Sequence, residues 1–265
     1  MIFRSFFSLL ITALLAACSV LDLPALAAPT PAVTEGPTAA AAVTPTIVWF
    51  PPSPTPAALF IATYTSTPEM RPGVGGTTLS DSFSEAESWD TRSSNQGSAS
   101  VERNRLTLAV QPGIYLFSLR RGLALDDFYA EITARPSLCR GGDDYGVLIR
   151  ASTAAYYRFS LTCNGMVQAD RISAGTRESL QAAVPSGDAP RGSPGEVRIG
   201  VWAVGAEMRL FLNGRYQFSI DNPNMRTGTI GVFARSAGDT PLTVSFSDLV
   251  IQDVSYIPPT RTPMP

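Results

Sequence analysis

The sequence has neither lysine nor histidine among its 265 residues. That excludes Ser-His-Asp triads, histidine general bases, lysine Schiff bases and histidine-ligated metal centres. No stretch offers the continuous apolar run of roughly 20 residues that a bilayer-spanning helix needs. No segment carries the apolar spacing of an amphipathic helix either. Basic charge is all arginine. Without Arg4 of the leader, 19 arginines (20 minus one) face 22 acidic residues, a mildly acidic balance that does not fit a nucleic-acid partner.

What is present begins with the leader. Residues 1–17 combine Arg4, an apolar core and the ending Leu15-Ala16-Ala17, the layout of a secretory signal. Leu15-Ala16-Ala17-Cys18 resembles the bacterial lipobox. The resemblance implies cleavage before Cys18, diacylglycerol on its thiol and acylation of the new amino terminus. Such palmitate-like chains, at about 0.8 kcal/mol per buried CH₂, would hold the protein on the extracytoplasmic face of a cell membrane. Ala25-Leu26-Ala27 also fits ordinary signal cleavage, which would discard Cys18 and release the chain.

Residues 18–76 form a second region. Positions 19–76 hold 11 of the 22 prolines, interspersed with alanine and threonine, and only Asp22, Glu35, Glu69 and Arg71 carry charge. Proline fixes φ and removes a donor, so this composition predicts a disordered, polyproline-like tether with a reach on the order of 100 Å. Residues 257–265 repeat the same chemistry and are expected to be a disordered tail.

Between them, residues 77–256 change period. Phe128-Ala130-Ile132-Ala134, Tyr157-Phe159-Leu161 and Val197-Ile199-Val201-Ala203 alternate with other residues, as half-buried antiparallel strands do. Turn signals at Gly141-Gly142-Asp143-Asp144, Asn164-Gly165, Gly205-Ala206 and Asn213-Gly214 separate them. The pattern predicts an all-β domain of twelve to fourteen strands in a two-sheet antiparallel jelly-roll sandwich, acting as a monomer. At Asn213-Gly214 a three-residue loop that includes Arg215 is expected, with Leu210, Leu212, Tyr216 and Phe218 sharing one face.

The order of motifs points to a family. Asp81-Ser82-Phe83 with Trp89 opens the domain. Tyr145-Gly146-Val147-Leu148-Ile149-Arg150 and Tyr156-Tyr157-Arg158-Phe159 occupy its middle. Phe211-Leu212-Asn213-Gly214, Thr227-Gly228-Thr229-Ile230-Gly231-Val232-Phe233 and Val244-Ser245-Phe246-Ser247-Asp248-Leu249-Val250-Ile251 complete it. The arrangement resembles the concanavalin A-like superfamily, in particular its laminin-G-like and 3-keto-disaccharide-hydrolase-like branches, across about two thirds of the chain. The resemblance implies a two-sheet jelly roll whose first and last strands are neighbours.

Hairpin registers place candidate ligand residues. A turn centred near Ala154 sets Arg150 opposite Arg158, and a two-residue turn at Asn164-Gly165 sets Arg158 opposite Arg171. Folding back at Gly141–Asp143 would put Thr133 beside Arg150. Arg150, Arg158 and Arg171 then form a row on the non-core face, with Tyr156 and Glu131 nearby. Such a row needs carboxylates or a ligand, either loop counter-charges or a sugar or anionic glycan. Trp202 is expected on a non-core face, as a carbohydrate platform or as a stacking partner for Arg209 across the Gly205-Ala206 turn.

Cys139 and Cys163 are expected to form a disulfide in an oxidising compartment. Ideal strands would hold them 9–10 Å apart at a spacing of 4.7–4.9 Å per strand, so the Gly-Gly loop must fold over; two reduced, buried thiols are the other possibility. No cofactor follows from the residues, although Asp126-Asp127 and Asp143-Asp144 could offer oxygen ligands to calcium, as in some laminin-G-like relatives. The Glu-x-Asp-x-x-Glu strand of family-sixteen glycosidases is absent, and Glu131 is the one acid inside a strongly strand-like run. A non-catalytic, membrane-tethered module binding a glycan or envelope polymer is therefore the leading expectation. A structural or protein-binding surface domain and a sugar hydrolase are the alternatives.

Fatty-acid labelling tests the anchor. Labelled palmitate should enter the full-length protein and be lost on Cys18→Ala; an unlabelled product beginning at Ala28 would overturn the assignment.

Overall fold

The structure is a computed structural model that describes residues 69–257; the leader, Cys18, most of the expected tether and the last eight residues lie outside the described residues. Fifteen strands follow in chain order: β1 (Val74–Asp81), β2 (Arg92–Ser94), β3 (Gly97–Glu102), β4 (Arg105–Val110), β5 (Tyr115–Leu119), β6 (Phe128–Leu138), β7 (Asp144–Ala151), β8 (Ala155–Thr162), β9 (Met166–Ser173), β10 (Thr176–Pro185), β11 (Val197–Val204), β12 (Glu207–Leu212), β13 (Arg215–Asp221), β14 (Thr229–Arg235) and β15 (Leu242–Val254). The first strand begins at Val74, ahead of the expected boundary at 77, and side-chain packing begins at Met70.

Two antiparallel sheets face one another. A nine-stranded sheet runs β13-β12-β11-β6-β15-β4-β3-β2, with β1 also pairing β15, so the first and last strands are neighbours. A six-stranded sheet runs β10-β9-β8-β7-β14-β5. Their inner faces take the alternating apolar residues: Phe128, Ala130, Ile132, Val197, Ile199, Val201 and Phe246 from one, Val147, Ile149, Tyr157, Phe159, Leu161 and Val232 from the other. Phe159 stacks on Phe218 across the interface, with ring centroids 6.2 Å apart. Tyr157 buries its ring there and satisfies its hydroxyl by donating to Asn222 Oδ1 at 2.8 Å and accepting from the Met225 amide at 3.0 Å.

The opening motif has a structural role. Asp81 Oδ1 accepts the Phe83 amide at 2.8 Å while its other oxygen accepts Trp89 Nε1 at 3.1 Å and Arg120 Nε at 2.9 Å. Phe83, at φ 56°, then turns in to stack on Trp89 at 5.1 Å.

Three expected registers are corrected. First, β6 and β7 do not form a hairpin: they belong to different sheets, and Thr133 pairs with Arg198 and Ser247 instead of lying beside Arg150. Second, β8 and β9 pair Arg158 with Asp170, one residue from the expected Arg171. Cys163 leaves the ladder, donating its amide to Asp143 O at 2.8 Å, so the connection has three residues instead of two. A one-residue slip exchanges the faces of a strand, so Arg171 turns to the opposite side and pairs with Glu178 at 2.6 Å. Third, Asn213 (φ 52°) and Gly214 (φ 79°) close a two-residue turn that pairs Leu212 with Arg215 and Phe211 with Tyr216. Two successive positive φ values suit Asn-Gly. A bulge beyond them restores Phe218 opposite Leu210.

Cys139 and Cys163 are joined by a disulfide with Cα atoms 5.5 Å apart. Because β6 and β8 lie in different sheets, the flat-sheet separation does not apply. A closed loop of this length stabilises by about 3 kcal/mol. Cys139→Ala with Cys163→Ala should therefore lower the unfolding free energy by roughly that amount in a denaturant titration; an unchanged midpoint would show that the bridge adds nothing.

Candidate functional site

The outer face of the six-stranded sheet carries the densest polar chemistry. Alternation sets three cross-strand rows on it: Thr162–Asp144–Arg235–Tyr115, Gln168–Ser160–Gly146–Phe233–Phe117 and Asp170–Arg158–Leu148–Gly231–Leu119. Two neighbouring strands, β7 and β14, present glycine here. A Cβ at Gly146 would meet the Phe159 carbonyl and the Phe233 ring, and one at Gly231 would meet Leu119. The bare floor lets side chains from both flanks lean inward. Phe117 on β5 and Tyr156 on β8 meet with centroids 6.0 Å apart, although three strand steps of 4.7–4.9 Å separate their backbones. The Arg158 guanidinium lies 5.5 Å from the Phe233 ring and 5.8 Å from that of Tyr115.

Charges alternate through the same layer. Asp170 accepts from Arg158 Nη2 at 2.7 Å and from Arg177 Nε at 2.8 Å, while Asp144 accepts from Arg235 Nε at 2.6 Å. Both aspartates are fully buried, and Arg158 is only 6% exposed. Burial works against the Arg158 charge, but the hydrogen bond and charge of Asp170 prevail and raise its pKa above the ordinary value. Burial also lifts the Asp144 carboxyl above the usual carboxylate range, against the pull of Arg235. Burial, then the neighbouring Tyr156 phenol, push Tyr115 well above the usual phenol value. Asp144 Oδ2, Ser160 Oγ and Tyr115 Oη are buried without a hydrogen-bond partner. An unpaired buried polar atom costs about 1–3 kcal/mol; Ser118 Oγ and Tyr145 Oη, on the inner side of the same sheet, share that condition, and all five atoms are closed to solvent.

Of the residues expected to form the site, Tyr156 and Arg158 are here. Arg171 is not, for the register reason above. Arg150 is not either: it occupies a bulge at φ 49°, opposite the close-packed Gly228. Its buried guanidinium donates to the carbonyls of Asp126 (2.8 Å), Gly205 (2.6 Å) and Met225 (3.1 Å), with Asp127 at 3.5 Å. It ties three loops together. Glu131 lies on the other sheet, bonded by Tyr129 and Arg198. Arg177, Arg235, Asp170, Ser160 and Tyr115 were missed. Their signal is an outward-facing run, Asp144-x-Gly146-x-Leu148, whose face is set only once register is known.

Trp202 is on the outer face of the nine-stranded sheet and does stack with Arg209, whose guanidinium is 4.4 Å from the ring. It is no open platform, however. Residues 70–74 cross it, with Trp202 Nε1 donating to Pro72 O at 3.0 Å and Arg209 to Met70 O at 2.9 Å. Tyr256 packs on it from the C-terminal side. A shallow cavity of about 440 Å³ beside this strap is lined by Arg71, Tyr129 and Gln252, and another of about 470 Å³ by Leu138, Arg140 and Thr240. Neither holds an unpaired buried polar group.

The aspartates considered for calcium are dispersed. Asp127 Oδ1 accepts the Gly205 amide and Asp143 accepts the amides of Arg140, Ala237 and Gly238. Among the described residues, no three acidic, histidine or cysteine side chains gather as a metal site.

Comparison with known proteins agrees with this architecture. No family model matches the chain, and no curated protein matches it. Solved structures do. A β-glucanase of Bacillus licheniformis superposes with a TM-score of 0.52 at 11% identity, over 68% of this chain and 99% of its own. An endo-acting O-glycanase structure from human gut microbiota gives 0.51 at 10% identity, over 68% and 100%. A protein of unknown function with a galectin-like fold from Bacillus subtilis gives 0.50 at 12% identity, over 69% and 99%. The domain shares with these structures a two-sheet antiparallel jelly-roll fold. At these identities the likeness concerns the fold alone.

The Asp144 environment sets a pH dependence. Its native carboxyl holds its proton more tightly than the unfolded chain, where aspartate titrates near pH 3.9. Unfolding free energy therefore falls as pH rises from about 3.9 through the raised native value. Arg235→Gln should raise that value further and steepen the loss. Carboxyl carbon-13 NMR showing Asp144 titrating below the ordinary aspartate range would contradict it.

Proposed function

We propose that this protein is a non-catalytic, lipid-anchored extracytoplasmic module that binds a polysaccharide across the outer face of its six-stranded sheet. The observation that carries the reading is the pair of part-exposed guanidinium groups, Arg177 and Arg235, on a face that also carries the Phe117 and Tyr156 rings. Sugars present a hydroxyl edge and an apolar face, and this layer offers guanidinium donors beside aromatic rings. Fold neighbours named as a β-glucanase and O-glycanases support the same substrate class. The lipobox-like ending at Cys18 supports the anchor.

Binding fits the carboxylates better than hydrolysis. A glycosidase needs two carboxyl groups about 5–9.5 Å apart. Asp144 and Asp170, the carboxylates of this face, are both fully buried and each is paired with a guanidinium group, so neither stands free as an acid or base beside a substrate. Asp170 is moreover engaged by two guanidinium groups.

A polysaccharide pull-down with the signal-free protein tests the reading. Phe117→Ala and Arg177→Ala should each reduce retention at least about tenfold, the loss of one good contact, while Arg198→Ala on the opposite sheet should not. Equal loss with Arg198→Ala, or retention by both site variants, would refute this face as the site.

A further inference from the structure

We infer that the polysaccharide bound on this face is acidic, carrying carboxylate or sulfate groups spaced along the polymer. This rests on the glycan-binding reading above and adds its charge. Four guanidinium groups belong to the face, those of Arg92, Arg158, Arg177 and Arg235, against two carboxylates, Asp144 and Asp170. Four minus two leaves +2, on a chain whose net charge is −2.

The excess is also placed to be read from outside. Arg158 is buried and committed to Asp170. Arg177 and Arg235 are different: each gives its Nε to a buried aspartate, and their side chains stay 48% and 35% exposed. The aspartates thus act as stays that hold the planar forks upright, leaving the terminal N–H groups toward solvent. Arg92 completes the rim, donating to Phe117 O at 2.9 Å with its guanidinium 5.4 Å from the Phe117 ring. A guanidinium fork matches a two-oxygen anion.

Spacing favours a polymer over a single acidic sugar. Arg235 on β14 and Arg177 on β10 are four strands apart and offset along the ladder, on the order of 25 Å by strand geometry. Between them lie the Phe117 and Tyr156 rings, so one strand of polymer meets anion sites at its ends and an aromatic surface at its centre.

Affinity electrophoresis of the signal-free chain separates the outcomes, with polygalacturonate, dextran sulfate and neutral dextran as probes and single-stranded oligothymidylate as a polyanion control. Polygalacturonate or dextran sulfate should bind at least tenfold tighter than neutral dextran, with affinity falling as salt rises. Preference between those two identifies the anion as carboxylate or sulfate. Arg177→Gln with Arg235→Gln should bring acidic polymers down to the neutral level. Arg92→Gln with Arg177→Gln should do much the same while leaving the Asp144–Arg235 pair intact, which guards against a folding defect. Equal binding of neutral and acidic polymers would overturn the acidic assignment and leave the glycan-binding reading standing. Binding to none of the polysaccharides would overturn both, and equally tight oligothymidylate binding would show charge without sugar recognition.

Discussion

The crossover between residues 139 and 144 carries the chain from one sheet to the other, and the polar face depends on how firmly it is held. Cys139, just past β6, is bonded to Cys163, just past β8. The Cys163 amide is taken by the Asp143 carbonyl, and the Asp143 carboxylate collects three further amides. Cys163 thereby leaves the β8–β9 ladder. The β8–β9 connection, closed by the Gly165 and Met166 amides on the Thr162 carbonyl and hydroxyl, has the register that brings Arg158 opposite Asp170. Shifted by one residue, Arg158 would face Arg171, two cations side by side without a carboxylate.

Much of the fold was legible because it is local. Strand alternation, the two-layer class and the position of Trp202 against Arg209 follow from period and turn signals, while the adjacency of first and last strands was implied by the family resemblance. What was not legible is long-range. Nothing in Gly141-Gly142-Asp143-Asp144 says whether the chain folds back or crosses to the other sheet; the choice belongs to a bridge formed 24 residues away. Arg150 continues the alternation of β7 perfectly as sequence, yet a bulge opposite Gly228 takes it out of the face. Asn213-Gly214 is a strong two-residue turn, and the apolar count that favoured a longer loop was accommodated by a bulge instead. Burial of Trp202 depends on residues 70–74, whose proline-rich composition suggested tether.

The two outer faces use similar residues to opposite ends. On the nine-stranded sheet, Trp202, Tyr129 and Phe211 are covered by the chain itself: Arg71 lies 5.4 Å from both the Tyr129 and Phe211 rings, and backbone carbonyls of the strap take up the Trp202 and Arg209 donors. Burial and the charge of Glu131 push the Tyr129 phenol up to about 12, even though its hydroxyl also accepts from Arg71 at 3.4 Å. Among the described residues, no buried side-chain polar atom of that face lacks a partner within the protein. On the six-stranded sheet, those of Asp144, Ser160 and Tyr115 do.

That difference is an argument about selection between faces. An unpaired buried acceptor is a standing destabilisation that a single apolar replacement would remove, and the opposite sheet shows that this chain can complete such networks from its own residues. Met70, Val74 and Tyr256 add to the cover on the nine-stranded sheet. What the six-stranded face leaves open to solvent is guanidinium, from Arg177 at one end and Arg235 at the other, and an acidic polysaccharide supplies the matching charge.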